Sequence, residues 1–219
     1  CLETEKRRKI FYKVNMLLTN DKIIRRALHV LLEKEVARYR QRGYRAEIIE
    51  ELGVHHGTAR IDIALINGTM HGYEIKSDRD TLDRLPEQVN EFNTVFDKLT
   101  LVVGRRHLYQ AMHIVPDWWG VVIAKFDSNN HLVFQTIRKP DHNKEQVGVS
   151  IAGLLWRKEA LQILKERNEA NGLLSKPRKV IYARLADILD IETLKKTVST
   201  LLVSREHWRP GVQLVSGGG

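Results

Sequence analysis

Asp62 and the triplet Glu74-Ile75-Lys76 are the residues whose types and spacing suit the capture of a divalent cation beside an amine. Eleven residues separate the aspartate from the glutamate, and Asn67-Gly68 lies between them. Asn-Gly flanked by apolar runs is a strong hairpin signal, because both residues tolerate the positive φ of a tight two-residue turn. On the first strand Ile61, Ile63 and Leu65 share one parity, and Arg60, Asp62 and Ala64 the other. On the second, Tyr73 and Ile75 alternate with Glu74 and Lys76. Side chains of one parity share a sheet face, so an apolar face opposes one carrying two carboxylates and an ammonium. A register that sets Asp62 beside Glu74 makes an oxygen-ligand site for a hard cation. The plain alternative is a salt-bridged strand surface facing solvent. Against it, the strands are otherwise apolar, and buried charges are too costly to keep without a partner or a metal.

Several elements must hold this hairpin. Thr19-Asn20-Asp21 is a helix start, and Ile24, Leu28, Leu31, Leu32, Val36 and Tyr39 continue it as an amphipathic helix ending near Gly43. Residues 45–52 read as a first strand, followed by a loop from Gly53 to Gly57 that carries His55 and His56. Ser77 to Thr81 is a polar loop, with Ser77 and Arg79 placed to meet a phosphate. A helix follows with Leu85, Val89, Phe92, Val95 and Phe96 on its apolar side and Arg84 and Gln88 on a neighbouring one. Thr100 to Val103 has the unbroken apolar character of a parallel strand. Gly104 to His107 opens a short helix reaching Met112, and the strands Val121–Phe126 and Leu132–Ile137 complete a mixed sheet. Trp118-Trp119 leads into the first of these strands as a packing pair rather than a base-stacking platform. Beyond a polar connection come three helices, at 154–164 with Trp156 and Leu161 inward, at 178–189 and at 191–203. Their basic edge, Lys176, Arg178 and Lys179, fits either a small nucleic-acid reader or a lid on the sheet.

The combined blocks give this pattern a family. Asp62 with Glu74-Ile75-Lys76 resembles the Asp…(Asp/Glu)-x-Lys signature of the PD-(D/E)xK nuclease superfamily. The runs Arg60–Ala64, His71–Asp78, Arg84–Gln88 and Thr100–Gly104 are similar to those of a small bacterial branch of it. The resemblance extends from about residue 22 into the C-terminal helices. Ile61 stands where the superfamily usually has proline. Phe92, four residues after Gln88, replaces a tyrosine that several subfamilies carry beside the metals. The resemblance implies an α/β, restriction-endonuclease-like core with a mixed central β-sheet flanked by helices, plus a C-terminal helical segment. It divides the chain into a basic arm at 1–20, the core at 21–138, a connection at 139–150 and a helical subdomain at 151–215. It also implies a Mg²⁺-dependent deoxyribonuclease, with Mn²⁺ as a substitute. Asp62, Glu74 and the Ile75 carbonyl would hold the metal, and Lys76 would stabilise the phosphorus. The electrostatic role is the one favoured for a lysine beside two carboxylates. Gln88 would orient substrate or the lysine. A further carboxylate is expected from Glu33, Glu35, Glu50 or Glu51, with Glu51 ranked first. Alanine at Asp62 or Lys76 is expected to abolish cleavage and leave folding intact.

Composition is compatible with that reading. The 219 residues are 42% hydrophobic and 29% charged, enough for one main domain with an appendage. A single cysteine excludes an internal disulfide framework and a cysteine-built zinc site, and suits a reducing, cytoplasmic setting, bacterial or phage-encoded. No apolar run reaches the length of a membrane span. The net charge of +9 is uneven: +8 over residues 1–45, −4 over 46–149 and +5 over 150–219. An acidic centre needs cations to meet a polyanion, and basic flanks supply attraction and phosphate contacts. Arg60, Ser77, Arg79, Arg84, Arg105, Arg106, Lys176, Arg178 and Lys179 are the contact candidates. The partner is nucleic acid, DNA foremost, and a dimer is compatible. The competing functions are a nucleic-acid-binding module without turnover and an interaction subunit of a DNA-processing or defence complex.

Overall fold

The computed structural model describes residues 17–205. Most of the expected N-terminal arm and the last residues of the expected helical segment lie outside that range. Helix α1 spans Asp21–Gln41. The Asn20 side chain accepts the Ile23 amide at its N-terminus, and Asp21 suits the positive end of the dipole. Ile24, Leu28, Leu32 and Val36 recur every four residues and form its buried stripe.

Six strands follow: β1 Glu47–Val54, β2 Ala59–Ile66, β3 Met70–Lys76, β4 Lys98–Gly104, β5 Gly120–Phe126 and β6 Leu132–Arg138. They lie in sheet order as in sequence. β1, β2 and β3 form an antiparallel meander, β4 and β5 run parallel to β3, and β6 returns antiparallel. The turn between β2 and β3 sits at Asn67-Gly68-Thr69, with Gly68 at φ +96°. Helix α2, Leu85–Asn93, crosses from β3 to β4 and has proline in its first turn, where the missing amide costs nothing. It stops at Asn93, so Val95 and Phe96, expected on its apolar side, lie just beyond it, both fully buried. The short α3 is Leu108–Met112.

Both faces of the sheet are covered. α1 packs on one face against Ile63, Leu65, Tyr73, Ile75 and Val102. The other face carries α2 and the C-terminal helices α4 Gly148–Ala152, α5 Arg157–Glu166, α6 Arg178–Ile188 and α7 Ile191–Ser204. One continuous core runs from Ile49 through Phe92 and Leu101 to Ile181 and Leu202. Asp97 fastens the C-terminal helices to the sheet: one oxygen pairs with Lys195 Nζ of α7 at 2.8 Å, the other accepts the Met70 amide at 2.7 Å. The polar connection is stitched down as well, since Asn143 donates to the Asn93 and Phe96 carbonyls.

Three expectations need correcting. Alternation along β2 breaks at Asp62. Ile61 enters the core with Ala64 and Ile66, whereas Ile63 and Leu65 pack under α1. The cause lies in β1: Glu51, which would face Asp62, has φ +54°, and the pairing skips that position. There is accordingly no polar sheet face, because β3 is buried along nearly its whole length. Trp156 is not inward but 43% exposed. It precedes α5, where its amide donates to Glu159 and its ring stacks between Lys158 and Arg205. Trp119 is fully buried and donates to Asn93, as expected of a core residue.

Candidate active site

Regular pairing of β2 with β3 runs only from Ile66↔Met70 to Ile63↔Tyr73. Beyond that point the strands part, and the gap is where Asp62 and Glu74 come together. The Ile75 amide has no β2 carbonyl to pair with and donates instead to Asp62 Oδ2 at 2.7 Å. A side chain has taken a ladder position, which fixes the carboxylate and leaves no orphan amide. The parting strands open a cavity of about 650 Å³ lined by Glu51, Arg60, Asp62, Glu74, Ile75, Lys76, Arg79, Arg84 and Gln88, among others. The sequence-predicted trio and most of the auxiliary residues are therefore in one place.

Each carboxylate is held from a different layer. Glu74, 1% exposed, points toward the α2 side. Its Oε1 accepts from Lys76 Nζ at 2.7 Å and from Gln88 Nε2 at 2.7 Å. Its Oε2 is buried with no partner among the described residues, and so is Gln88 Oε1. Asp62 is held from the α1 side. Arg25 Nη2 meets Asp62 Oδ1 at 2.5 Å, and Arg25 Nη1 meets the Asp62 carbonyl at 2.9 Å and Glu51 Oε1 at 2.9 Å.

Electrostatics follow from burial. Burial, then the charge of Asp62, pushes the Glu74 carboxyl up to about 8, and Lys76 and Gln88 offset only part of this. Burial also raises Asp62, against the opposing pull of Arg25 and the Ile75 amide. Two acids raised together by burial in a cleft mark a candidate functional site.

Other expected residues fall differently. Of Glu33, Glu35, Glu50 and Glu51, only Glu51 lines the cavity; Glu33 and Glu50 flank His29. Ser77, expected to meet phosphate, is buried, and its amide and hydroxyl both donate to Asp80 Oδ2. Arg105 and Arg106 are exposed but do not line the cavity; the Arg106 amide donates to Asp78. Lys176, in the bend before α6, and Arg178 and Lys179, in its first turn, are exposed and do not line the cavity either. His55 pairs with Glu91 at 3.0 Å, a structural clasp between the β1–β2 turn and α2. Phe92 packs in the core. Arg25 was not foreseen. Its only sequence signal is position: it follows the buried Ile24 on α1, four residues after Asp21.

Among the described residues no three His, Cys, Asp or Glu side chains converge as a metal cage. Two carboxylates on one cavity, one with a buried oxygen that has no partner among the described residues, still suit Mg²⁺, which keeps several waters and takes one or two protein carboxylates. No helix among the described residues is long and apolar enough to cross a membrane.

Comparison with known proteins gives a family. Protein cII of Enterobacteria phage P4 is 39% identical over 95 residues, which cover 43% of this chain and 35% of the phage protein. The match thus spans about a third of that relative's length. No solved structure matches. A family model described as bacteriophage P4 protein cII matches residues 15–210, a span that includes every described residue. The chain belongs to the bacteriophage P4 protein cII family.

Proposed function

We propose that this chain is a metal-dependent nuclease of the PD-(D/E)xK type that hydrolyses phosphodiester bonds in DNA. The observation that carries the reading is the buried Glu74 carboxyl. It has one oxygen tied to Lys76 and Gln88 and the other without a donor among the described residues, with the partly buried Asp62 carboxylate nearby. A carboxyl so placed is satisfied by a cation. The mixed sheet, the helix preceding it, the hairpin that supplies both acids and the following helix that supplies Gln88 support a restriction-endonuclease-like core. The relative in a phage supports a phage-encoded or bacterial cytoplasmic setting.

Asp62, Glu74 and the Ile75 carbonyl would hold Mg²⁺ or Mn²⁺. Bound there, the ion activates water and neutralises charge on the scissile phosphate. The chain's own residues do the rest. Lys76, 6% exposed and 2.7 Å from Glu74, brings a desolvated positive charge to the non-bridging oxygens. Gln88 fixes the glutamate through its amide and keeps a buried carbonyl oxygen without a partner among the described residues, free to accept a hydrogen bond from a metal-bound water or substrate. Arg79 and Arg84, exposed on the cavity rim with no side-chain partner among the described residues, receive the flanking phosphates. Arg60 stands opposite them on β2, 3.6 Å from Glu51.

The test is a cleavage panel of single-stranded, double-stranded and branched DNA with Mg²⁺ or Mn²⁺. Cleavage that disappears in Asp62→Asn and Lys76→Met, with DNA affinity retained, is the expected result. Binding without metal-dependent cleavage of any substrate would make the chain a nucleic-acid-binding module instead.

A further inference from the structure

Arg25 is the most fully engaged side chain near the cavity, and the metal reading gives it no role. It makes four hydrogen bonds and one further ion-pair contact. Nε donates to Asp21 Oδ2 at 3.3 Å, and Nη2 to Asp21 Oδ1 at 3.2 Å and Asp62 Oδ1 at 2.5 Å. Nη1 donates to the Asp62 carbonyl and pairs with Glu51 Oε1, both at 2.9 Å. Three carboxylates and a carbonyl thus converge on one guanidinium. A planar fork with five donors suits such a set far better than a lysine would.

The acids of the cavity fall into two groups. Asp21, Glu51 and the Oδ1 side of Asp62 share Arg25. Glu74 Oε2 is buried with no donor among the described residues. Asp62 is the carboxylate common to both, its second oxygen set by the Ile75 amide. Arg25 thus serves the first of these groups, whereas on the Glu74 side Lys76 Nζ reaches only Oε1 and leaves Oε2 without a partner among the described residues.

We propose that Arg25 is a resident cation that occupies the second ion position, so that the site takes a single divalent ion, between Asp62 and Glu74. The inference rests on the reading that the cavity binds a metal. Arg25 is in this view a positioning residue: it sets the Asp62 rotamer, draws the left-handed Glu51 into the cavity wall and limits the ion count to one.

The experiment is a Mn²⁺ titration of the purified full chain without DNA, read by the spin-resonance signal of free Mn²⁺ and by calorimetry. The wild type is expected to bind one Mn²⁺ per chain, and Glu74→Gln to weaken that binding at least tenfold. Arg25→Gln should take up a second Mn²⁺ at the oxygens the guanidinium leaves, and Arg25→Gln with Glu51→Gln should return to one. A wild type that binds two ions, or a folded Arg25→Gln that still binds one, overturns the role of Arg25 and leaves the metal reading standing. Absence of binding, or binding undiminished in Glu74→Gln, removes the metal reading and this inference together. Should Arg25→Gln fail to fold, the wild type at saturating Mn²⁺ decides alone, because a coupled two-ion spectrum contradicts the proposal and an isolated-ion spectrum supports it.

Discussion

Arg25 and Asp62 are joined at two atoms of the aspartate, its carboxylate and its own backbone carbonyl, so helix α1 and strand β2 hold each other at the cavity mouth. The other carboxylate oxygen caps the Ile75 amide. Asp62→Ala therefore does more than delete a ligand. It leaves a buried amide and a guanidinium short of acceptors, at a cost of about 1–3 kcal/mol. Asp62→Asn keeps a carbonyl oxygen for one of the two donors. Thermal melts should show Asp62→Ala falling by several degrees, roughly 2–4 °C per kcal/mol for a chain of this size, and Asp62→Asn by clearly less. Equal melting temperatures for wild type and Asp62→Ala would contradict the capping role.

The raised Glu74 carboxyl makes stability depend on pH in a stated direction. Its folded value of about 8 lies above the ordinary 4.5, so the native state holds the proton more tightly than the unfolded chain. The contribution is fully present below about 4.5 and is lost as pH rises through 8. Metal-free protein should accordingly melt at falling temperature between pH 6.5 and 8.5. Glu74→Gln should flatten that slope, and millimolar Mg²⁺ should flatten it too, by replacing the proton. Measurement above pH 6.5 avoids His71. Burial first, and then the charge of Lys98, depresses that residue to about 3, so it destabilises in the opposite direction, as pH falls. A slope unchanged in Glu74→Gln would assign the effect to another group.

Lys76 is the positive charge bonded to Glu74, and its substitution separates chemistry from fold. Methionine preserves the buried stem and removes the ammonium. Lys76→Met should fold, lose cleavage by a factor of about 10² or more, and move the Glu74 carboxyl above its wild-type value. A carbon-detected carboxyl titration reads the last effect directly. Retained cleavage would take Lys76 out of the mechanism.

How far the chain can be read without coordinates is clear from these residues. Periodicity locates α1 through Ile24, Leu28, Leu32 and Val36, and the apolar run of β4 locates the parallel centre of the sheet. The Asn67-Gly68 turn brings Asp62 toward Glu74. Alternation alone does not reveal that Glu51 adopts positive φ, because glutamate carries no local signal for that conformation. The face change at Asp62 follows from it and is equally hidden. Arg25 reads as one more charge on an amphipathic helix, since its partners lie in three different elements. Trp156 misleads for a simpler reason: large aromatic residues are mostly buried, and this one instead stacks against two cations before α5.

The last prediction concerns the joint between the sheet and the C-terminal helices. Asp97, 2% exposed, lies between Lys195 Nζ and the Met70 amide. Lys195→Met leaves that carboxylate buried with the amide alone, and breaking one side of such a pair costs about 3 kcal/mol or more. Lys195→Met combined with Asp97→Asn removes both charges and keeps an acceptor for Met70. The double variant should therefore recover much of the loss, and urea denaturation of the four proteins gives the coupling as a double-mutant cycle. Neither residue lines the cavity, so whatever protein folds should bind Mn²⁺ as the wild type does. Strictly additive losses would mean that Asp97 and Lys195 stabilise the joint independently, and that the helices are held by the shared core of Val198 and Leu202 rather than by the pair.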